Sequence, residues 1–154
     1  MKNKHENKEK KKRSQEELQL ALQEKYMEYQ MIEEQAKKFQ EQGEALEKQI
    51  SELDSLKEAV HEIEKTKTGT ELFVPMSSGI FIKAEIKDSK QILMNVGDNV
   101  VVPKSAGDAV TLIKKQQGEV LVYKEKIQQN LEIVRQHLEG IEAELMELMK
   151  EGKE

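Results

Sequence analysis

The sequence predicts an α+β fold: two long helices paired as an antiparallel coiled-coil hairpin, with two β-hairpins at the bend. Three observations carry this. Apolar residues recur at alternating three- and four-residue steps over both flanking thirds of the chain. The period changes to two in the middle, between Leu72 and Val102. The only two prolines, Pro75 and Pro103, lie in that middle block, so neither helix is interrupted.

The first helix is expected over 14–66. Leu18, Leu22, Tyr29, Ile32, Ala36, Phe39, Leu46, Ile50 and Leu53 fall on one ladder, with Lys25 and Gly43 as its other rungs. After Leu53 the apolar pattern steps by three to Leu56 and resumes at Val60 and Ile63, the signature of a stammer that overwinds a supercoil. Ser14 and Glu17 have capping-box spacing. The second helix is expected over 105–150, where Ala106, Val110, Ile113, Val120, Ile127, Leu131, Val134, Leu138, Ile141, Leu145 and Leu148 keep strict spacing, broken only by Gln117 and Lys124. Ser105 and Asp108 supply its cap.

At 1.5 Å per residue the helices extend roughly 80 and 70 Å, close enough to pair along their length. Antiparallel pairing through the central block sets residue i against a residue near 170 − i. Tyr29 then falls near Gly140, where the missing side chain would leave room for the ring. Phe39 falls near Leu131.

In the block at 70–103, Leu72–Val74, Ile80–Ile86, Ile92–Val96 and Val100–Val102 read as four strands joined pairwise by "PMSSG" and "GDN". A single four-stranded sheet has open edges and an apolar face. Folding down over Leu56, Val60, Ile63, Val110 and Ile113 hides part of that face but closes no edge, so partners are expected to cover it. The residues expected at such an interface are Leu72, Val74, Ile80, Ile82, Ile86, Ile92, Met94, Val96, Val100, Val101 and Val102.

Composition narrows function. With 36% charged, 36% hydrophobic and 4% aromatic residues and no Trp, the 154-residue chain has little material for a large globular core. It contains no Cys, which excludes disulfides and thiolate chemistry and fits a cytoplasmic protein. No apolar run approaches a membrane span, and no membrane association is expected. Residues 1–13 carry seven Lys/Arg against two Glu, a basic tail expected to be disordered, while the rest of the chain is acidic. Nucleic acid is not the expected partner, because the acidic body would repel phosphate. His5, His61 and His137 lack metal-ligand spacing, and "TKTGTE" is no phosphate cradle. No enzyme, cofactor or metal is expected.

The order helix, two hairpins, helix, with "ELFVPMSSGIFIKAEIKD", "ILMNVG" and "KSAGDAVTLI", resembles the α-type subunit of archaeal prefoldin over most of 14–150. The resemblance extends the prefoldin-like region over 14–154 and implies a share in an oligomeric β-barrel, in a hexamer of two α-type and four β-type subunits. It also implies an ATP-independent chaperone that captures unfolded client proteins at coiled-coil tips and delivers them to a group II chaperonin. Family members have more glycine where Met76-Ser77-Ser78 stands here. The residues bear separately on the tips: Leu20, Tyr26, Met27, Met31, Met146 and Met149 lie off the ladder and gather at one end on the antiparallel register. With the nearby rungs Leu18, Leu22, Leu145 and Leu148 they form the expected client-binding set. The alternative is a structural coiled-coil oligomerization or tethering protein, which needs no apolar excess at that end.

Overall fold

Reciprocal hydrogen bonds open the first helix. The Ser14 backbone N–H donates to Glu17 Oε2 at 3.0 Å, and the Glu17 N–H donates to Ser14 Oγ at 3.3 Å, satisfying two donors that a helix start leaves free. The second helix opens on Ser105, whose Oγ accepts from the Asp108 N–H at 3.1 Å and donates to Asp108 Oδ2 at 2.8 Å. The computed structural model describes residues 14–152 in the order α1 (Gln15–Lys65), β1 (Glu71–Ser77), β2 (Ile80–Glu85), β3 (Gln91–Asn95), β4 (Val101–Ser105) and α2 (Ala106–Glu151). Both helices therefore start and stop within one residue of the expected bounds. The basic tail expected over 1–13, with His5, lies outside the described residues.

The described chain divides into two units, the first made of α1 up to Glu41 and α2 from Gln128, the second of Gln42–Ile127. In the first unit every rung from Leu18 to Phe39, and from Leu131 to Leu148, is buried or half-buried, whereas most positions between rungs are exposed. Lys25 Nζ meets Glu144 Oε2 at 2.6 Å, the Tyr29 hydroxyl donates to Glu142 Oε1 at 3.1 Å, and Leu18 lies against Gly152. In the second unit Gly43 faces Ile127, and Lys124 pairs with Glu47. For each of these pairs the two numbers total within one of 170, so the antiparallel register is the expected one. Gly140 is not explained by it. A Cβ built there meets nothing within 4 Å, so the glycine makes room for no ring.

The expected stammer is absent. From Leu53 the rungs continue by four to Lys57, both half-buried, and by three to Val60, which is 4% exposed, while Leu56 and Ile63 are 47% and 39% exposed. Helix geometry keeps its period, and the lysine is accommodated chemically: Lys57 Nζ reaches Asp54 Oδ1 at 2.6 Å. Asp54 also hydrogen-bonds Gln117, itself a half-buried rung of α2. A polar layer thus replaces an apolar one without shifting the phase of the ladder.

The four strands make two separate two-stranded antiparallel sheets, β1 with β2 and β3 with β4, rather than one sheet of four. Between β1 and β2, Leu72 faces Ala84 and Val74 faces Ile82, with a register shift between Pro75 and Ser77. The strand expected to reach Ile86 ends at Glu85, although hydrogen bonds from Gly69 to Ile86 and from Ile86 to Thr70 continue the ladder. Between β3 and β4, Met94 faces Val102 and Leu93 faces Pro103. Pro103 stands inside β4, two residues before the cap residue Ser105. Both prolines occupy strands with a free edge, where a missing N–H breaks no ladder bond. The β3–β4 turn puts Asp98 and Asn99 at φ 47° and 58°, with Val100 N–H donating to Gly97 O at 2.8 Å. Two consecutive positive φ values define a type I′ turn, and short amide and carboxylate side chains tolerate them.

The core of the second unit is Val60, Ala106, Ala109, Val110 and Ile113, with Leu53, Ile92 and Met94 packed against it. The second hairpin therefore folds down on the helices, as expected. It does not cover Leu56 or Ile63.

Candidate functional site

Within the first unit, the seam accounts for Leu18 and Leu148, both buried, and for the half-buried Leu22 and Leu145. These four of the ten client-binding candidates hold the helices together. The other six, Leu20, Tyr26, Met27, Met31, Met146 and Met149, are each more than half exposed. Their spacing explains this. Leu20, Met27 and Met31 recur at seven and four residues, a stripe on the face of α1 turned away from the seam, and Met146 and Met149 are one turn apart on α2. Ile133, 65% exposed, is a further off-ladder apolar residue that the sequence reading passed over.

The two flanks of this seam differ in chemistry. With the seam at heptad positions a and d, Tyr26 and Met149 fall at e on one flank, while Glu28, Glu144 and Glu151 fall at g on the other. A groove on the acidic flank is lined by Glu24, Glu28, Glu144, Glu147 and Glu151 around Lys25. The ammonium of Lys25, bonded first to Glu144 and then to Glu28, is held above the usual lysine range, and the Glu28 carboxylate is held below its own by that lysine. His137 Nε2 lies 3.6 Å from the second oxygen of Glu28. The hydrogen bond to Glu142 pushes the Tyr29 hydroxyl up. These are solvated ion pairs that fix register. Among the described residues no group of three or more acidic or histidine side chains is placed to hold a metal ion.

In the second unit the apolar surface lies on the hairpins. Leu72, Ile80, Ile82, Val96, Val100 and Val101 are exposed; Val74, Ile86 and Val102 are half-buried; Ile92 and Met94 pack on the chain's own core. The interface candidates are thus brought to one block but not to one face. The first hairpin is apolar on both faces, because Phe73 and Phe81, 70% and 60% exposed, flank Pro75 opposite the Val74 and Ile82 side. Beside them Lys83 pairs with Glu71 at 2.6 Å. The second hairpin turns Leu93, Val101 and Pro103 outward. Phe73, Phe81 and Leu93 were missed by counting alternate residues; the signal was the unbroken apolar run "LFVPM", which marks a strand wanted on both sides. Leu121, Val122 and Tyr123 add an exposed apolar triplet on α2, where Lys126 Nζ sits 5.7 Å from the Tyr123 ring centre.

A chain whose seam and core are complete, yet which leaves apolar residues exposed at one end of its helix pair and on its hairpins, is built to bind other chains. Comparison gives it a family. Residues 32–151 match the family described as "Prefoldin subunit". The chain is 29% identical over 118 residues to prefoldin subunit alpha of Thermofilum pendens, covering 77% of this chain and 92% of that protein. It is also 28% identical to prefoldin subunit alpha of Archaeoglobus fulgidus, covering 69% and 82%. A chain from the filamentous prefoldin of Methanocaldococcus jannaschii superposes with a TM-score of 0.68 over 75% of this chain and 96% of that one, at 16% identity, which speaks to the fold. This chain belongs to the prefoldin subunit family, a family of molecular chaperones, and both of these relatives are archaeal α subunits.

Proposed function

We propose that this chain is the α-type subunit of a prefoldin that captures unfolded protein without ATP and passes it to a group II chaperonin. Its hairpins join those of β-type subunits, two α-type with four β-type, in a shared β-barrel. The observation that carries the reading is the exposed set Leu20, Tyr26, Met27, Met31, Met146 and Met149 at one end of a seam already closed by its own leucines. An unfolded client offers apolar segments, and burying them on several such ends at once gives firm holding from weak contacts. Tyr26 and the methionines suit varied partners, since the thioether chain adapts its shape without a fixed geometry.

The test is aggregation of a chemically denatured client. The chain is assembled with β-type subunits, and Leu20, Tyr26, Met27, Met146 and Met149 are changed to Ser or Gln. Protection is expected to fall while the assembled mass stays constant. Equal protection by wild type and variant moves capture away from these residues. No protection by either, with assembly intact, favours a structural tethering role.

A further inference from the structure

Four of the six methionines among the described residues, Met27, Met31, Met146 and Met149, lie in the first unit, each more than 55% exposed and off the seam. Each pair sits one helical turn apart, so each helix presents two thioethers on a single patch. The chain has no cysteine. Peroxide reaching this surface therefore finds no thiolate to react with first, and the exposed thioethers are the readily oxidised groups. In the second unit Met94 is half-buried on the core, and Met76, 64% exposed, stands on β1 outside the client-binding set.

We infer that these four methionines are a reversible oxidation site that switches client capture off. In the step, the sulfur lone pair attacks one oxygen of hydrogen peroxide; the S–O bond forms as the O–O bond breaks, the second oxygen leaves as hydroxide and takes the proton from the new S–OH group to become water, so the thioether is oxidised to the sulfoxide and the peroxide reduced. The product is polar and stiffer, so the patch loses the apolar, adaptable character on which capture depends. None of the four is a rung, so the seam and the helices persist. Methionine sulfoxide reductases, one for each sulfoxide epimer, restore the surface. The inference rests on the capture reading given above.

The experiment treats the assembled full chain with hydrogen peroxide. Methionine peptides are then weighed by mass spectrometry, and client aggregation and helicity are measured before treatment, after treatment, and after the two reductases. Sulfoxide is expected first at 27, 31, 146 and 149, together with the equally exposed Met76, and last at Met94. Helicity should stay constant, and the chain concentration giving half-protection should rise about tenfold and return on reduction. A variant with Met27, Met31, Met146 and Met149 changed to Leu, with its own untreated protection as the reference, should lose sensitivity to peroxide. Full protection by oxidised wild type, or equal peroxide sensitivity of the leucine variant, overturns the inference. Absence of protection by untreated protein instead overturns the capture reading on which it stands.

Discussion

Gly140 sits in the interior of α2 with open space where a Cβ would be. Gly140→Ala should therefore stabilise the chain by about 0.5–1 kcal/mol, from lower unfolded-state entropy and better helix propensity, read as a higher melting temperature. A decrease would show a contact that open space does not provide. The seam's ion pairs set a pH window. Glu28, with its lysine, and Asp54, with Lys57 and Gln117, have carboxyls held below their ordinary values of 4.5 and 3.8. Their stabilisation is present above those values and is lost as pH falls through the lower folded ones. Lys25 and Tyr29 are raised above 10.5 and 10.0. Their share is present below those values and is lost as pH rises through the higher folded ones. A melting temperature flat from about pH 5 to 9.5, with shallow falls outside, is expected, shallow because these groups are solvated. A melting temperature that changed within that plateau would exclude these pairs as the source of the pH dependence.

At the scale of elements, the two helices were legible because a 3-4 ladder is a property of each residue's own position. The exception is instructive. Reading apolar residues alone selects Leu56 and Ile63, but the helix keeps its period and places Lys57 on the rung, supported by Asp54 across a turn. Chemistry elsewhere decided what hydrophobicity could not. Strands were equally legible, whereas the split into two sheets was not, because pairing between hairpins depends on what else covers their faces. The register itself has a direct check. With no native cysteine, Gly43→Cys combined with Ile127→Cys should form a disulfide on mild oxidation, since a Cβ at 43 lies 3.9 Å from the Ile127 side chain. Pairing Gly43→Cys with Val134→Cys, one heptad away, should give none. Equal yields from both pairs would mean that the helices slide.

For the whole molecule, the division of labour between hairpins matters most. The second has its inner face on the chain's own core, while the first leaves Val74 and Ile82 on one side and Phe73 and Phe81 on the other. Assembly should thus depend more on the first. Ile82→Lys with Val101→Lys should lower the assembled mass while leaving helicity intact, since a buried lysine costs more than the contact it replaces. Phe73→Lys should act alone. Retention of full mass by both variants would exclude the hairpins as the joint. This part of the site was half legible: alternation found the Ile82 face, and the Phe73 face became visible only once both sides of the strand stood uncovered.

The stretch from Leu53 to Ile63 encodes two phases of one ladder. The occupied phase runs through Lys57; the vacant one, through Leu56 and Ile63, needs the helix to turn by roughly 100°, one residue's worth. Such a segment is locally frustrated, with a narrow gap between competing packings. Whatever covers Leu56 and Ile63 from outside removes the drive to rotate them inward. Helix phase and assembly are then linked: amide exchange across this stretch should be fast in the lone chain and should slow when partners cover it, though no bond within the helix has changed.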